Sequence, residues 1–449
     1  MKYRAAALCL LAPAAARAAD GAGSIILPDS IDVPLSARLT SLLGMVVLML
    51  IAWSVSTDRR RVPWRVVIWG TGLQLSLGLL LLRTGVGTGF FTALKDGVAR
   101  LLSFYREGAD LLFEPLMTST EALGRVPFAL SVLPTIIFFS SLMAVLYHLR
   151  IMQVVVGAVA RAMQWTLRTS GAESLSAAGN IFVGQTEAPL LIRPFVERMT
   201  NSELMAVMTG GFATVAGGVM VAYVGMFGEL FPNMAGHLMT ASILSAPAAL
   251  VMAKLMFPED GVPVTAGQMA KSERSTYQNV IDAAATGASD GLKLALNVAA
   301  MLLAFVALVA LVNFLLTTAG GWVGVEDLTF QRLFGWCLAP VAWVMGVPWD
   351  DAQVVGSLLG TKTVLNEFYA YFELSALMRD GAIHNPRSVV IATYALCGFA
   401  NFGSIAIQIG GIAAIAESRR KDLARLGLRA MVGGTLAAFM TATVAGMLL

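Results

Sequence analysis

Residues 179–222 read GNIFVGQTEAPLLIRPFVERMTNSELMAVMTGGFATVAGGVMVA. Gln185, Thr186 and Glu187 form a polar cluster followed by Pro189, with Ile181, Phe182 and Val183 before it and Leu190, Leu191 and Ile192 after. An ionisable residue set between apolar runs marks a functional site when the surroundings are a bilayer. The runs beside Gln185 are too short to cross alone, since a crossing helix takes about 20 residues. The pattern predicts a re-entrant helical hairpin over about 172–197, its tip at 184–188. Pro189 suits the first turn of the returning arm, where its missing N–H costs nothing. Further on, Gly210, Gly211, Thr214, Gly217 and Gly218 interrupt an apolar run. Glycine-broken spans open their backbone toward a cavity.

The whole chain supports a membrane setting. Of its 449 residues 57% are hydrophobic and 13% charged, and the mean hydropathy is +0.74. A soluble domain carries roughly a quarter charged residues. The net charge of +3 gives no reason to expect nucleic acid. Cys9, Cys337 and Cys397 have no metal-ligand spacing and imply no disulfide framework. His148, His237 and His384 lie far apart beside loop signals, as helix-end residues do. No haem, zinc or nucleotide motif is present, so no cofactor is expected.

The organisation follows from apolar runs and flanking charge. Residues 1–19 carry Lys2 and Arg4, a short apolar stretch and an Ala16-Arg17-Ala18 cleavage-type site, the pattern of a signal peptide. Spans are predicted at about 39–55, 66–82, 126–147, 203–225, 236–256, 293–315, 388–415 and 429–448. Arg59, Arg60 and Arg61 after the first, and Arg419, Arg420 and Lys421 after the seventh, belong in the cytoplasm by the positive-inside rule. Both chain ends then face outward. Residues 92–117 read as an amphipathic interfacial segment, 276–292 as a polar helix along the inner surface, and 321–352 as an external stretch with an aromatic belt. Residues 20–125 form a supporting N-terminal part and 126–449 the core.

A second polar core, Thr361, Lys362, Thr363, Asn366 and Glu367, lies between short apolar arms and predicts a second hairpin over about 353–378. Each carboxylate-bearing hairpin is followed by a broken span, GFAT at 211–214 in one half and GFAN at 398–401 in the other. The charge rule makes the hairpins enter from opposite sides, so the expected fold is all-α: a polytopic membrane protein with eight transmembrane helices, two oppositely oriented re-entrant hairpins and an inverted repeat. Two carboxylates among amides and hydroxyls suit a neutral polyhydroxylated ligand, because charge-assisted hydrogen bonds to sugar hydroxyls are short and strong. Gln185 and Asn401 offer donor and acceptor together, and Phe399 offers a ring face. Carbonyls freed near Thr214 and the first tip suit a small hard cation. The plain alternative is that these groups bond helix to helix only. Another is an intramembrane enzyme using Glu187 and Glu367 as an acid–base pair, and a third is a non-transporting receptor.

GNIFVGQTEAPLLIRP, AVMTGGFATVAG, SAPAALVMAKL, NVIDAAATGASDGLKLALN, KTVLNEF and ALCGFANFGSIAIQIGG resemble the concentrative nucleoside transporters, bacterial members included, over roughly 125–440. The resemblance implies a homotrimer in the inner membrane, both termini periplasmic, importing nucleosides of the uridine, cytidine and adenosine class by cation symport, with no enzymatic step. It places Gln185, Thr186 and Glu187 at the nucleobase, partly through water, with Val219 packed against it. It places Glu367, Asn401 and Ser404 at the ribose and Phe399 over the pocket. The family's sodium site falls on the Asn180 and Thr214 side chains with the Val183 and Val215 carbonyls. Gly184, Gln185, Gly218 and Val219 occupy selectivity positions but give mixed signals between purine and pyrimidine. Asn180 favours sodium, while Glu367 leaves a proton open as the coupling ion.

Overall fold

The computed structural model describes residues 33–121, 133–270, 277–322, 324–325 and 328–449. The predicted signal peptide, residues 1–19, and residues 126–132 of the third predicted span lie outside them. Among the described residues the fold is all helical.

Two apolar helices, α1 (Leu35–Ser54) and α2 (Trp64–Arg83), lead into α3 (Gly85–Glu121). The last is the amphipathic segment, longer than expected at both ends. It is followed by α4 (Leu133–His148) and α5 (Ile151–Leu167), which meet at 76°. The bend sits at Arg150, whose φ of 62° is left-handed. Helix α5 was not anticipated, yet its buried positions Met152, Val156, Ala160, Met163 and Leu167 keep helical spacing.

The first hairpin follows. It consists of α6 (Gly171–Gly179), a non-helical tip, a 3-10 turn at Ala188–Ile192, and the single turn α7 (Arg193–Val196). The first broken span is α8 (Asn201–Ala213) with α9 (Gly217–Phe227), and α10 (Met234–Met256) returns. Then comes α11 (Val280–Trp322), a continuous helix of 43 residues. This corrects the expectation of a surface helix at 276–292 followed by a separate span. The small polar residues there serve packing. A Cβ on Gly287 would lie 2.7 Å from the Ser140 carbonyl oxygen, and one on Gly291 2.7 Å from the Ile137 Cα. Only glycine lets α11 lie this close to α4, and Ser141 Oγ donates across the contact to the Ala284 carbonyl at 2.8 Å.

The supposed external stretch 321–352 contains a further helix, α12 (Phe330–Val344), packed along α13 (Trp349–Val364) at a 117° bend. Its Trp336 and Trp343 are exposed, while Phe330, Gly335, Ala339 and Ala342 are buried. The second hairpin is α13 with α14 (Glu367–Arg379). The second broken span is α15 (Pro386–Leu396) with α16 (Phe402–Ala413), and α17 (Arg420–Leu448) closes the chain. Six stretches among the described residues are long and apolar enough to cross a bilayer: Leu35–Ser54, Trp64–Arg83, Asn201–Phe227, Met234–Met256, Val280–Trp322 and Glu417–Leu448. The broken pair α15–α16 is split into pieces of 11 and 12 residues, each too short to cross alone.

The core lies around α8, α9, α10, α15 and α17, almost fully buried, while α1, α2 and α11 leave large apolar side chains exposed. That distribution fits a bilayer around the outer helices.

Candidate functional site

Local sequence sets both hairpins. Ser170 caps α6 and pairs reciprocally with Glu173 in a capping box, and Thr200 does the same with Glu203 at the start of α8. The two caps are joined, because Ser170 Oγ donates to Glu203 Oε1 at 2.6 Å. Lys254, buried at the end of α10, forms ion pairs with Glu173 and with Glu259. The second hairpin is fastened at the corresponding place. Asp351, three residues into α13, accepts from His384 N at 3.0 Å, Asn385 N at 3.0 Å and Ser388 Oγ at 2.6 Å. Thus each hairpin is tied by a buried carboxylate to the start of the broken span that follows it.

The tips and breaks converge. The first tip hangs on α9, with Gly217 N donating to the Phe182 carbonyl at 3.0 Å. The first break, Thr214–Ala216, meets the second, Cys397–Asn401, directly: Phe399 N donates to the Thr214 carbonyl at 3.3 Å. Gly398 makes the second break possible with a φ of 125°, open to glycine and strained for other residues. Asn401 then caps α16, its Oδ1 accepting from Ser404 N at 2.9 Å. Asn366 caps α14 likewise, which puts Glu367 in the first helical turn, where the helix dipole favours a carboxylate.

A hydrogen-bond chain runs through this meeting point. Tyr223 O–H donates to Glu367 Oε1 at 2.9 Å, and Asn401 Nδ2 donates to Glu367 Oε2 at 3.1 Å. Gln185 Nε2 donates to Ser404 Oγ at 3.2 Å, and Gln408 Nε2 donates to Gln185 Oε1 at 3.0 Å. Glu367, Asn401, Ser404 and Gln185 are all buried. One polar cluster therefore joins the first hairpin tip, the second hairpin and both broken spans.

The other expected residues fall around it. Thr186 lies against Gly411 of α16, its Cγ2 2.7 Å from where a Cβ would stand. Val219 is buried at the start of α9, and Phe399 is half-buried against the core. Glu187 stands apart. Its residue is exposed, and its carboxylate turns back over Gly184. The two acids thus do not meet in one hydrogen-bonded cluster, and from the first hairpin it is Gln185 that enters. Lys362 is buried and donates to the Ala395 carbonyl at 2.9 Å, near the end of α15. Among the described residues it forms no ion pair within 4.0 Å of Glu367. The sequence reading overlooked Tyr223 and Gln408. Tyr223 is the one polar side chain of apolar α9, and Gln408 lies one helical turn after Ser404 in apolar α16, which is the available signal.

Beside the breaks, Asn180 is 1% exposed, and neither Oδ1 nor Nδ2 has a hydrogen-bond partner among the described residues. Buried amides are ordinarily satisfied. Its neighbour across the contact is Gly210, where a Cβ would stand 3.1 Å from Nδ2. Thr214 Oγ1 spends its proton on the Gly210 carbonyl at 3.0 Å, leaving its lone pairs free. Val183 and Val215 lie in the non-helical tip and break. Neutral oxygens of this kind suit a hard monovalent cation.

Paired hairpins, broken helices and a buried polar cluster at their junction define a membrane transporter of solutes. Known proteins make the class specific. Residues 43–116 and 237–446 match the models of the N- and C-terminal parts of the Na+ dependent nucleoside transporters, and residues 129–230 match a nucleoside-recognition gate model. An uncharacterised transporter of Haemophilus influenzae is 45% identical over 412 residues, covering 91% of this chain and 97% of that protein. Sodium/nucleoside cotransporter 1 of mouse is 42% identical over 432 residues, 92% of this chain, which spans 64% of the mouse protein's length. The solved structure of the transporter CNTnw, inward-facing and substrate-bound, aligns with a TM-score of 0.85 at 45% identity over 92% of this chain and 98% of that one. An outward-facing variant of CNTnw aligns with a TM-score of 0.87 at 45% identity over 93% and 99%.

The chain belongs to the concentrative nucleoside transporter family. It is a multi-pass membrane protein of nucleoside transport, and its relatives are transporters, not enzymes.

Proposed function

We propose that this protein is a sodium-coupled symporter importing nucleosides across the inner membrane as a homotrimer, with both termini periplasmic. The observation that carries the reading is the cluster linking Tyr223, Glu367, Asn401, Ser404 and Gln185. Glu367 and Asn401, with Ser404, hold the ribose hydroxyls, since a carboxylate oriented by two donors accepts strongly from a sugar hydroxyl. Gln185, Thr186 and Glu187 face the nucleobase, Glu187 through water in the conformation described. Val219 and Phe399 supply the apolar wall. Substrates are of the uridine, cytidine and adenosine class. Residues 126–449 form the transport core and residues 20–125 the supporting part.

Asn180 and Thr214, with the Val183 and Val215 carbonyls, would hold the sodium ion; the unpartnered Asn180 amide supports this. The ion would supply positive charge at the junction of tip and break, favouring the arrangement in which hairpin and broken span are closed together.

Uptake of labelled uridine into proteoliposomes tests the reading. An inward sodium gradient is expected to drive accumulation, and replacing sodium by choline to abolish it. Accumulation in choline driven by a pH gradient would make the proton the coupling ion. Equal uptake without any gradient would reduce the protein to a facilitator.

A further inference from the structure

We infer that Gln408 is a specificity-determining positioning residue: through Gln185 it fixes which hydrogen-bonding group the protein shows to the base. This rests on the reading that Gln185 faces the nucleobase. An amide side chain looks nearly the same after a half-turn, so its polarity must come from its partners. Gln408 is fully buried in α16. Its Nε2 donates both to the Met208 carbonyl at 3.1 Å and to Gln185 Oε1 at 3.0 Å. A backbone carbonyl only accepts, so Met208 holds the nitrogen of Gln408 toward it and toward Gln185. Both hydrogens of that nitrogen are then used, and Gln185 must present its oxygen to Gln408 and its nitrogen to Ser404. One N–H of Gln185 remains uncommitted. The base therefore meets a donor at this point, and bases carrying an acceptor there are selected.

The polarity of Gln185 is thus dictated from a main-chain carbonyl on α8, two side chains away. Close approach permits it. A Cβ on Gly211 would lie 2.7 Å from Gln408 Nε2 and 2.9 Å from Gln185 Cβ, so a larger residue would part the two amides. Gln408 touches no substrate in this scheme. Its effect belongs in selectivity rather than in overall rate.

The test is uptake of a nucleoside series by proteoliposomes of the full-length protein, normalised to the amount of folded protein by size-exclusion chromatography. The series pairs adenosine with 3-deazaadenosine and uridine with 2-thiouridine, analogues that delete or weaken one base acceptor. Wild type is expected to discriminate by tenfold or more within at least one pair. Gln408→Leu frees the Gln185 amide to turn, and the discrimination should fall to within about threefold while uptake of the better substrate stays within about threefold of wild type. Gly211→Ala should have the same effect by separating the amides. Unchanged discrimination in Gln408→Leu, with Gln185→Ala abolishing it, overturns the role of Gln408 and keeps the base-facing Gln185. Unchanged discrimination in Gln185→Ala overturns the underlying reading instead. A uniform loss of uptake across the series in Gln408→Leu assigns Gln408 a purely structural role and also overturns the proposal.

Discussion

Asn401 and Glu367, from opposite elements of the second half, share a hydrogen bond of 3.1 Å, and the Asn401 amide can be oriented only one way because its oxygen is taken by Ser404 N–H. Tyr223 supplies a second donor to the same carboxylate. Glu367→Gln keeps one oxygen for Asn401 Nδ2 and turns an NH2 toward Tyr223, whose hydroxyl can rotate to accept from it. What is lost is the negative charge, and with it the charge-assisted hydrogen bond a sugar hydroxyl would make. Uridine uptake is expected to fall more than tenfold with the fold retained, and the milder Tyr223→Phe to lose about tenfold or less. Wild-type uptake by Glu367→Gln would remove the ribose assignment.

The Asn180 side chain has no hydrogen-bond partner to lose among the described residues. Asn180→Leu should therefore leave thermal stability in sodium-free detergent equal to or above wild type. Sodium should raise the melting temperature of wild type, since a ligand bound only by the folded state stabilises it, and should not raise that of the variant. A sodium-induced shift of equal size in both proteins would place the ion elsewhere.

Lys254→Met strands the carboxylate of Glu173, whose side chain is 1% exposed. Removing one member of a buried pair costs about 3–5 kcal/mol, more than the pair itself contributes. The apparent Tm in detergent should drop by several degrees. Adding Glu173→Gln should recover much of the loss, because the uncompensated charge is gone. A double variant less stable than the single one would contradict this account of the cluster.

Asp351→Ala deletes the acceptor for two backbone N–H groups and the Ser388 hydroxyl. Amide exchange at residues 384–388 should quicken selectively, by about tenfold for each 1.4 kcal/mol lost. Exchange at 170–173, at the root of the first hairpin, should stay as in wild type.

Much of this was legible from local pattern. A polar cluster between apolar arms too short to cross gives the hairpins, and GFAT and GFAN give the breaks. What escaped depends on contacts between distant residues. Helix α11 looked like two elements because its polar half carries Gly287 and Gly291, whose purpose appears only against α4. Helix α12 reads from sequence as part of an external stretch because its aromatics suggest an interfacial belt and outweigh the helical spacing of its buried residues. Gln408 is a single amide whose meaning comes from Met208 and Gln185, 200 and 223 residues away. The side-chain direction of Glu187 was beyond any spacing argument, since its neighbour Gly184 receives it.

The carboxylates of Glu173 and Asp351 grip the hairpins at their roots, with Ser170–Glu203 and Asp351–Ser388 as the fixings. A beam clamped at one end deflects most at the other. The tips that carry Gln185 and Asn366 are held at the far end by the Gly217–Phe182 contact and the polar cluster, and where those bonds open, a slight tilt at the roots sweeps the tips through a larger arc. Leverage of this kind lets small rearrangements near the surface reshape the middle of the molecule.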